Sequence, residues 1–165
     1  MKTLIIYNTA SGATKEYADW IGDALKANVV AEKDVDSSMI STYQTLIFGS
    51  CVQGGKLKIA SWVTSHWKQV KDKKIIVYSV SGADPTETSV MRKYFDESFS
   101  KEMQKHMTMF SLHGRISFKN FPMIVRLIVK FVRKVSKNPD VQKFTTEFDD
   151  VKKEYIAPII SAAKK

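Results

Sequence analysis

Five short apolar runs recur along this chain, and nearly all are followed by a tight loop and then by a segment of helical periodicity. The runs are Lys2–Tyr7 with its L-I-I-Y, Val29–Ala31, Thr45–Gly49 (T-L-I-F-G), Lys74–Ser79 (K-I-I-V-Y-S) and Met107–Leu112. Their apolar residues sit on consecutive positions rather than on alternate ones. Such strands are buried on both faces, as in a parallel sheet between two helical layers. The helical segments are expected at Thr14–Ala27, Leu57–Val70, Thr88–Lys105 and Glu147–Ala163; in the first, Tyr17, Ala18, Ile21, Ala24 and Leu25 recur at helical spacing. The predicted fold is therefore α/β, a doubly wound five-stranded parallel sheet. Sheets of this kind bind ligands beyond the carboxyl ends of their strands, where strand order reverses. Three loops qualify by position and are rich in small residues: Asn8–Ala13, Ser50–Gly55 and Val80–Asp84.

A chain of 165 residues suits one domain, expected to span 1–165. The run after Met1 is too short for a signal peptide, and nowhere do eighteen uncharged apolar residues follow one another. A cytoplasmic location is expected. Cys51 is the single cysteine, so no disulfide forms within the chain. His66, His106 and His113 show no metal-ligand spacing with one another or with Cys51, and no metal site is expected. There is no evident Ser/His/Asp triad or carboxylate pair, so no side chain is assigned a catalytic role and any redox chemistry would be carried by a cofactor. Cys51 reads first as a small packing residue.

The first loop is the most informative. Thr9-Ala10-Ser11-Gly12-Ala13-Thr14 places three hydroxyls, one glycine and a helix start within six residues. Glycine permits the tight turn, and the free N–H groups at a helix start favour an anion. The loop contains no lysine or arginine, so an anion here would be held by amides and hydroxyls. A P-loop would need a second glycine followed directly by lysine, and the dinucleotide fingerprint would need three spaced glycines. The alternative reading is ordinary helix capping by Ser11 or Thr14.

T-x-S-G-x-T after the first strand resembles the flavodoxin family signature for the phosphate of flavin mononucleotide (FMN). The resemblance implies a flavodoxin-like fold in which Thr9, Ala10, Ser11, Gly12, Ala13 and Thr14 surround that phosphate. It further implies that Ser50, Cys51, Val52, Gln53 and Gly54 flank one side of the isoalloxazine, and Val80, Ser81, Gly82 and Ala83 the other. Electron-carrying flavodoxins often stack an aromatic ring on the flavin from these loops. Here neither Ser50–Gly55 nor Val80–Asp84 contains one.

About thirty-five residues, His113–Thr146, separate the fifth strand from the last helix. A structureless loop of that length would be unusual. The net charge of +9 is concentrated toward this region: Arg115–Lys137 carries seven basic residues and no acidic one. Pro122–Lys137 (P-M-I-V-R-L-I-V-K-F-V-R-K-V-S-K) predicts a helix with Arg126, Lys130, Arg133, Lys134 and Lys137 in one sector roughly 100° wide and aliphatics around most of the remainder. Such a helix suits an anionic membrane surface or a partner's apolar groove. It would equally suit packing on the sheet with basic residues reaching outward. Aliphatics rather than stacking aromatics interleave the charges, which disfavours nucleic acid.

Gly114–Phe121 (G-R-I-S-F-K-N-F) followed by a basic apolar helix resembles the menaquinone-dependent protoporphyrinogen oxidases, as do the opening M-K-T-L-I and the Y-S-V of the fourth strand. That resemblance implies oxidation of a porphyrinogen in heme biosynthesis, with electrons passing through FMN to a membrane quinone, at the inner face of the cell membrane. Arg115, Lys119, Arg126, Lys130 and Arg133 are then the candidates for contact with substrate or lipid headgroups. The competing expectations are an electron carrier between protein partners and a flavin-free adaptor module.

Overall fold

The computed structural model describes residues 2–118, 122–138 and 145–165. Strand β1 (Thr3–Asn8) leads into α1 (Ala13–Leu25) and β2 (Asn28–Ala31). After a short helix, α2 (Ser37–Ile40), come β3 (Thr45–Gln53), β4 (Lys56–Leu57), α3 (Ala60–Ser65), α4 (Trp67–Val70) and β5 (Lys74–Ser81). Helices α5 (Thr88–Ser98) and α6 (Lys101–Gln104) precede β6 (Met107–His113). The sheet order is β2-β1-β3-β5-β6 and every one of these pairings is parallel. From β1 the chain builds outward to β2 on one side and through β3 to β6 on the other. The reversal between β1 and β3 opens a crevice at their carboxyl ends.

The consecutive apolar positions of the strands divide between the two faces. Leu4, Ile6, Leu46, Phe48, Ile75 and Val77 join one core beneath the α2–α6 side. Ile5, Ile47, Ile76 and Tyr78 join the other, together with Tyr17, Ala18 and Ile21 of α1 and with Ile156, Ile159 and Ala163 near the C-terminus. This period of two with both phases apolar is why the strands read as unbroken hydrophobic runs.

Several boundaries differ from the sequence expectation. Ser50–Gln53, expected in a loop, continue β3: Ser50 and Cys51 pair with Ser79 and Val80, and Val52 and Gln53 pair antiparallel with Leu57 and Lys56. The turn between β3 and β4 falls on Gly54 and Gly55, both at positive φ (59° and 80°), where glycine relieves the steric penalty. Val80 and Ser81 likewise belong to β5. The helix expected at Thr88–Lys105 breaks at Phe99, whose φ of −134° and ψ of 141° are extended, and Ser100 then caps α6 by accepting from the Met103 N–H at 3.3 Å. Leu57–Val70 contains two short helices that meet at His66.

The largest correction concerns the C-terminal segment. Instead of a helix from Glu147, Phe148–Asp149 form a strand, β8, antiparallel to β7 (Arg115–Ile116). A 3-10 turn at Lys153–Ile156 leads into α8 (Ala157–Lys164), with Pro158 in its first turn, where proline's missing N–H costs nothing. Within the insert, α7 spans Met123–Val135, close to the expected 122–137.

Tyr78 ties the two layers of the site together. It is fully buried and its ring lies over Gly49, its register partner on β3. Its hydroxyl donates to the Thr14 carbonyl in the first turn of α1 at 3.1 Å. Burial pushes the phenol well above its usual pKa, so it stays protonated and can donate. A Cβ on residue 49 would collide with the Tyr78 ring. Gly49→Ala is therefore expected to destabilise the protein by about 1–3 kcal/mol through overpacking, read as a lower denaturation midpoint with an unchanged m-value.

Candidate functional site

The loop between β1 and α1 takes its shape from two residues. Gly12 adopts φ 87° and ψ −17° and is the N-cap of α1. A Cβ there would meet nothing within 4 Å, so it is the left-handed backbone, not crowding, that asks for glycine. Thr9 Oγ1 accepts from the Gly12 N–H at 3.0 Å and closes the turn. No side chain caps α1, which overturns the capping alternative for Ser11 and Thr14. Ser11 instead lies near the Arg115 carbonyl, with its hydroxyl 3.5 Å away. Thr14 is almost wholly buried (1% exposed), and its Oγ1 has no hydrogen-bond partner among the described residues. A buried orphan hydroxyl is uncommon in a folded chain. Placed at an uncapped helix start, it fits a site completed by an incoming anion.

In front of this loop lies a pocket of about 790 Å³. Ala10, Ser11 and Thr14 form its floor, Cys51 and Val52 one side, and Val80, Ser81 and Gly82 another. Thr9, Gly12 and Ala13 support the floor from within the loop. Four other expected contacts do not line the pocket. Ser50 is fully buried; its hydroxyl donates to the Cys51 carbonyl at 2.9 Å and accepts from the Ile59 N–H at 3.1 Å. Gln53 and Gly54 are exposed at the β3–β4 turn, and Ala83 is buried, its N–H donating to Ser81 Oγ at 3.3 Å. Cys51 is mostly buried, with its Sγ 3.7 Å from Asn8 Oδ1. Burial pushes its thiol pKa up against the opposing pull of Lys58, so it is a wall and not a thiolate nucleophile.

The fourth wall comes from the two ends of the insert, where Arg115 is the one lining residue named among the expected contacts. Gly114, Ile116, Ser117 and Phe118 from the β7 segment, with Glu147, Phe148 and Asp149 from β8, complete the pocket. Phe118 and Phe148 supply the aromatic surface that the two earlier loops lack. Their distance in sequence from those loops hid them; the only signal was the aromatic content of the insert's two ends. The Phe148 ring packs against His113, with centroids 4.9 Å apart.

Arg115 also lines the pocket, but its charge is already engaged. Its guanidinium lies 2.5 Å from Glu16 Oε2 and 3.2 Å from Asp149 Oδ2. The second contact is an ion pair by distance without hydrogen-bond alignment, because Nε has no aligned acceptor. Arg115 therefore fastens the insert's root to α1. Arg126, Lys130 and Arg133 lie on α7 and do not line the pocket. Lys119 lies outside the described residues.

A polar cluster holds the β8 segment in place. Asp150 lies 2.9 Å from His113 Nδ1, 2.6 Å from Lys152 Nζ and 2.9 Å from the Tyr155 hydroxyl, which donates to it. Its N–H donates to the Gly114 carbonyl at 3.2 Å. Tyr17 of α1 reaches the same place, donating to the His113 carbonyl at 2.8 Å and accepting from the Lys152 N–H at 3.3 Å. Burial pushes the Tyr17 phenol up to about 12. A second hollow, of about 560 Å³, lies beyond this cluster and is lined by Phe110, Leu112, Tyr155 and Pro158 among others. None of the expected cofactor contacts lines it. Among the described residues no group of His, Cys, Asp or Glu could hold a metal ion.

The flavodoxin domain family matches residues 4–143 of the chain. No curated protein matches its sequence. Similar folds among solved structures include the two-electron reduced flavodoxin of Megasphaera elsdenii, at 17% identity over 67% of this chain and 84% of that one, with a TM-score of 0.53. Oxidised Flavodoxin 2 from Bacillus cereus aligns at 18% identity over 88% and 93%, with a TM-score of 0.51. The Trp repressor binding protein from Bacillus subtilis aligns at 17% over 83% and 99%, with a TM-score of 0.50. These likenesses are likenesses of fold.

The Lys152 ammonium, His113 and the Tyr155 hydroxyl hold the Asp150 carboxyl down at about 2, below the ordinary Asp range. A carboxyl with a lowered folded pKa stabilises the fold above its unfolded pKa of about 3.9 and loses that contribution as pH falls through the folded value. Replacing Asp150 by Asn should therefore lower stability at neutral pH. It should also flatten the pH dependence between about 4 and 2, measured by thermal melts across that range.

Proposed function

The chain belongs to the flavodoxin domain family, and we propose from that membership that it binds FMN in the 790 Å³ pocket and acts as an FMN-dependent oxidoreductase. The observation that carries the reading is Thr14: a buried hydroxyl without a partner, at a helix start that no side chain caps. There it donates to the phosphate, beside the free N–H groups of the first turn. Thr9 holds the turn that aims those groups. Phe118, Phe148, Ile116, Val52 and Val80 supply an apolar surface that shields the ring from water. When bound, FMN supplies the electron transfer, and the protein supplies position and electrostatics.

Thr14→Val tests this directly. The hydroxyl has no partner to lose within the fold, so thermal stability should stay the same or rise slightly. FMN affinity, followed by absorbance and fluorescence titration of the apoprotein, should fall tenfold or more, because a hydrogen bond to a charged group contributes about 1.5–3 kcal/mol. Wild-type affinity in the variant would remove the loop from the cofactor site.

For the substrate, the specific reading is a porphyrinogen, oxidised with electrons passed on to a quinone. What supports it is the resemblance of Gly114–Phe121 to the quinone-linked protoporphyrinogen oxidases, together with the position of Gly114–Phe118 along the pocket wall. FMN-loaded protein should accelerate the conversion of protoporphyrinogen to fluorescent protoporphyrin under anaerobic conditions with a soluble quinone present, and removal of FMN should abolish the effect. Chemically reducible, stoichiometric FMN with no acceleration would reject the porphyrinogen and leave a carrier of electrons between proteins.

A further inference from the structure

Among the described residues, eight large hydrophobic side chains are exposed, and seven of them lie on α7: Met123, Ile124, Leu127, Ile128, Phe131, Val132 and Val135. No residue of this helix is buried. Phe131 is 68% exposed and Ile124 66%. An apolar stripe this open on a folded chain marks an interaction surface. The alternative in which α7 packs flat on the sheet does not describe it.

The helix divides into three sectors. At about 100° per residue, Ile124, Leu127, Ile128, Phe131 and Val135 fall within an arc of roughly 100°. Arg126, Lys130, Arg133 and Lys134 occupy the neighbouring arc on one flank, of similar width. Val125 and Val129, the two half-buried residues of the helix, mark the remaining side. An apolar face bordered by cations, with acidic residues absent from Arg115 to Lys137, is complementary to one surface in particular. Apolar side chains enter the acyl boundary while Lys and Arg stems reach back to anionic headgroups. A second copy of the helix would set like-charged flanks together on two chains of net charge +9 each. At thirteen residues the helix is about 20 Å long, too short to cross a bilayer and long enough to lie in its surface. Among the described residues no helix is long and apolar enough to span one.

We propose that α7 docks this protein on an anionic lipid bilayer. It lies in the interface with Ile124, Leu127, Ile128, Phe131 and Val135 toward the acyl chains and with Arg126, Lys130 and Lys134 toward lipid phosphates. In sequence the helix lies between β7 and β8, the two strands that wall the pocket. The inference rests on α7 alone and stands whether or not the pocket takes FMN.

The test is flotation of the full chain with vesicles of phosphatidylcholine containing phosphatidylglycerol, against vesicles of phosphatidylcholine alone. Binding is expected to the anionic vesicles and to weaken at least tenfold between 0.1 M and 1 M salt, as the screening length falls from about 10 Å to about 3 Å. The double variant Leu127→Glu/Phe131→Glu should lose binding at least tenfold while keeping the wild-type melting temperature, since both side chains are exposed. Absorbance titration of the same variant with FMN keeps the two readings separable, because neither residue lines the pocket. Absence of binding to anionic vesicles, or binding that the double variant leaves intact, would overturn the proposal. Concentration-dependent self-association by analytical ultracentrifugation, abolished by the double variant and unaccompanied by vesicle binding, would overturn it in favour of a second copy.

Discussion

The contact on which the site depends is the crossing of Tyr78 over Gly49. Two adjacent parallel strands place these residues in register, and a ring as large as tyrosine has room there only because its neighbour has no side chain. The ring then reaches past β3 to α1, where its hydroxyl meets the Thr14 carbonyl. A buried phenol must find an acceptor, and the one it finds is in the first turn of the helix that begins at the Thr9–Gly12 loop. The position of that loop relative to the sheet is thus set from inside the core. Tyr17, one turn further along α1 and in the same core, adds a second tie by joining β6 and the Lys152 segment. The loop itself can then leave Thr14 Oγ1 without a partner, because its neighbours are held by other bonds.

The strands and their order of appearance were legible because burial on both faces leaves an unbroken apolar signal. Their ends were harder to read. Ser50, Cys51, Val80 and Ser81 are small or polar and resemble loop residues, yet pairing between neighbouring strands carries β3 and β5 past them. Pairing of that kind is a tertiary effect that local propensity does not report. The same cause misled the reading of 147–152, ahead of the helical turn at Lys153–Ile156. E-F-D-D-V-K-K-E-Y-I has the charge density of an exposed helix, but Phe148 and Asp149 are claimed by Ile116 and Arg115, more than thirty residues earlier. A two-residue ladder leaves no period to detect. The aromatic part of the pocket was hidden for that reason: Phe118 and Phe148 reach the site only through this pairing.

Arg115 shows how far charge counting carries and where it stops. As part of a run of seven cations it read as a ligand for an anion. In the fold it meets Glu16 from α1 and Asp149 from β8, both invisible to a local reading. It is partly buried, and removing either acidic partner would leave its charge less well compensated. Its work is to fasten the base of the insert to α1, the helix that follows the Thr9–Gly12 loop. Any effect of an Arg115 substitution on ligand binding would thus mix contact with displacement of the wall.

The uneven charge of the chain therefore belongs to the surface more than to the pocket. The proposed phosphate site contains no cation: its donors are amides and hydroxyls, and the arginine at its edge is already matched by two carboxylates. The C-terminal third, with fourteen basic and six acidic residues, includes Arg126, Lys130, Arg133 and Lys134 on a helix outside the pocket lining. Neutral donors bind an anion by direction and depend on the fixed geometry that Tyr78 and Thr9 provide. Mobile cationic side chains on an exposed helix bind a charged surface by number and need no such geometry. One chain thus separates the two tasks. A nearly uncharged loop sits over the sheet, and an open, strongly basic apolar helix lies outside the pocket lining.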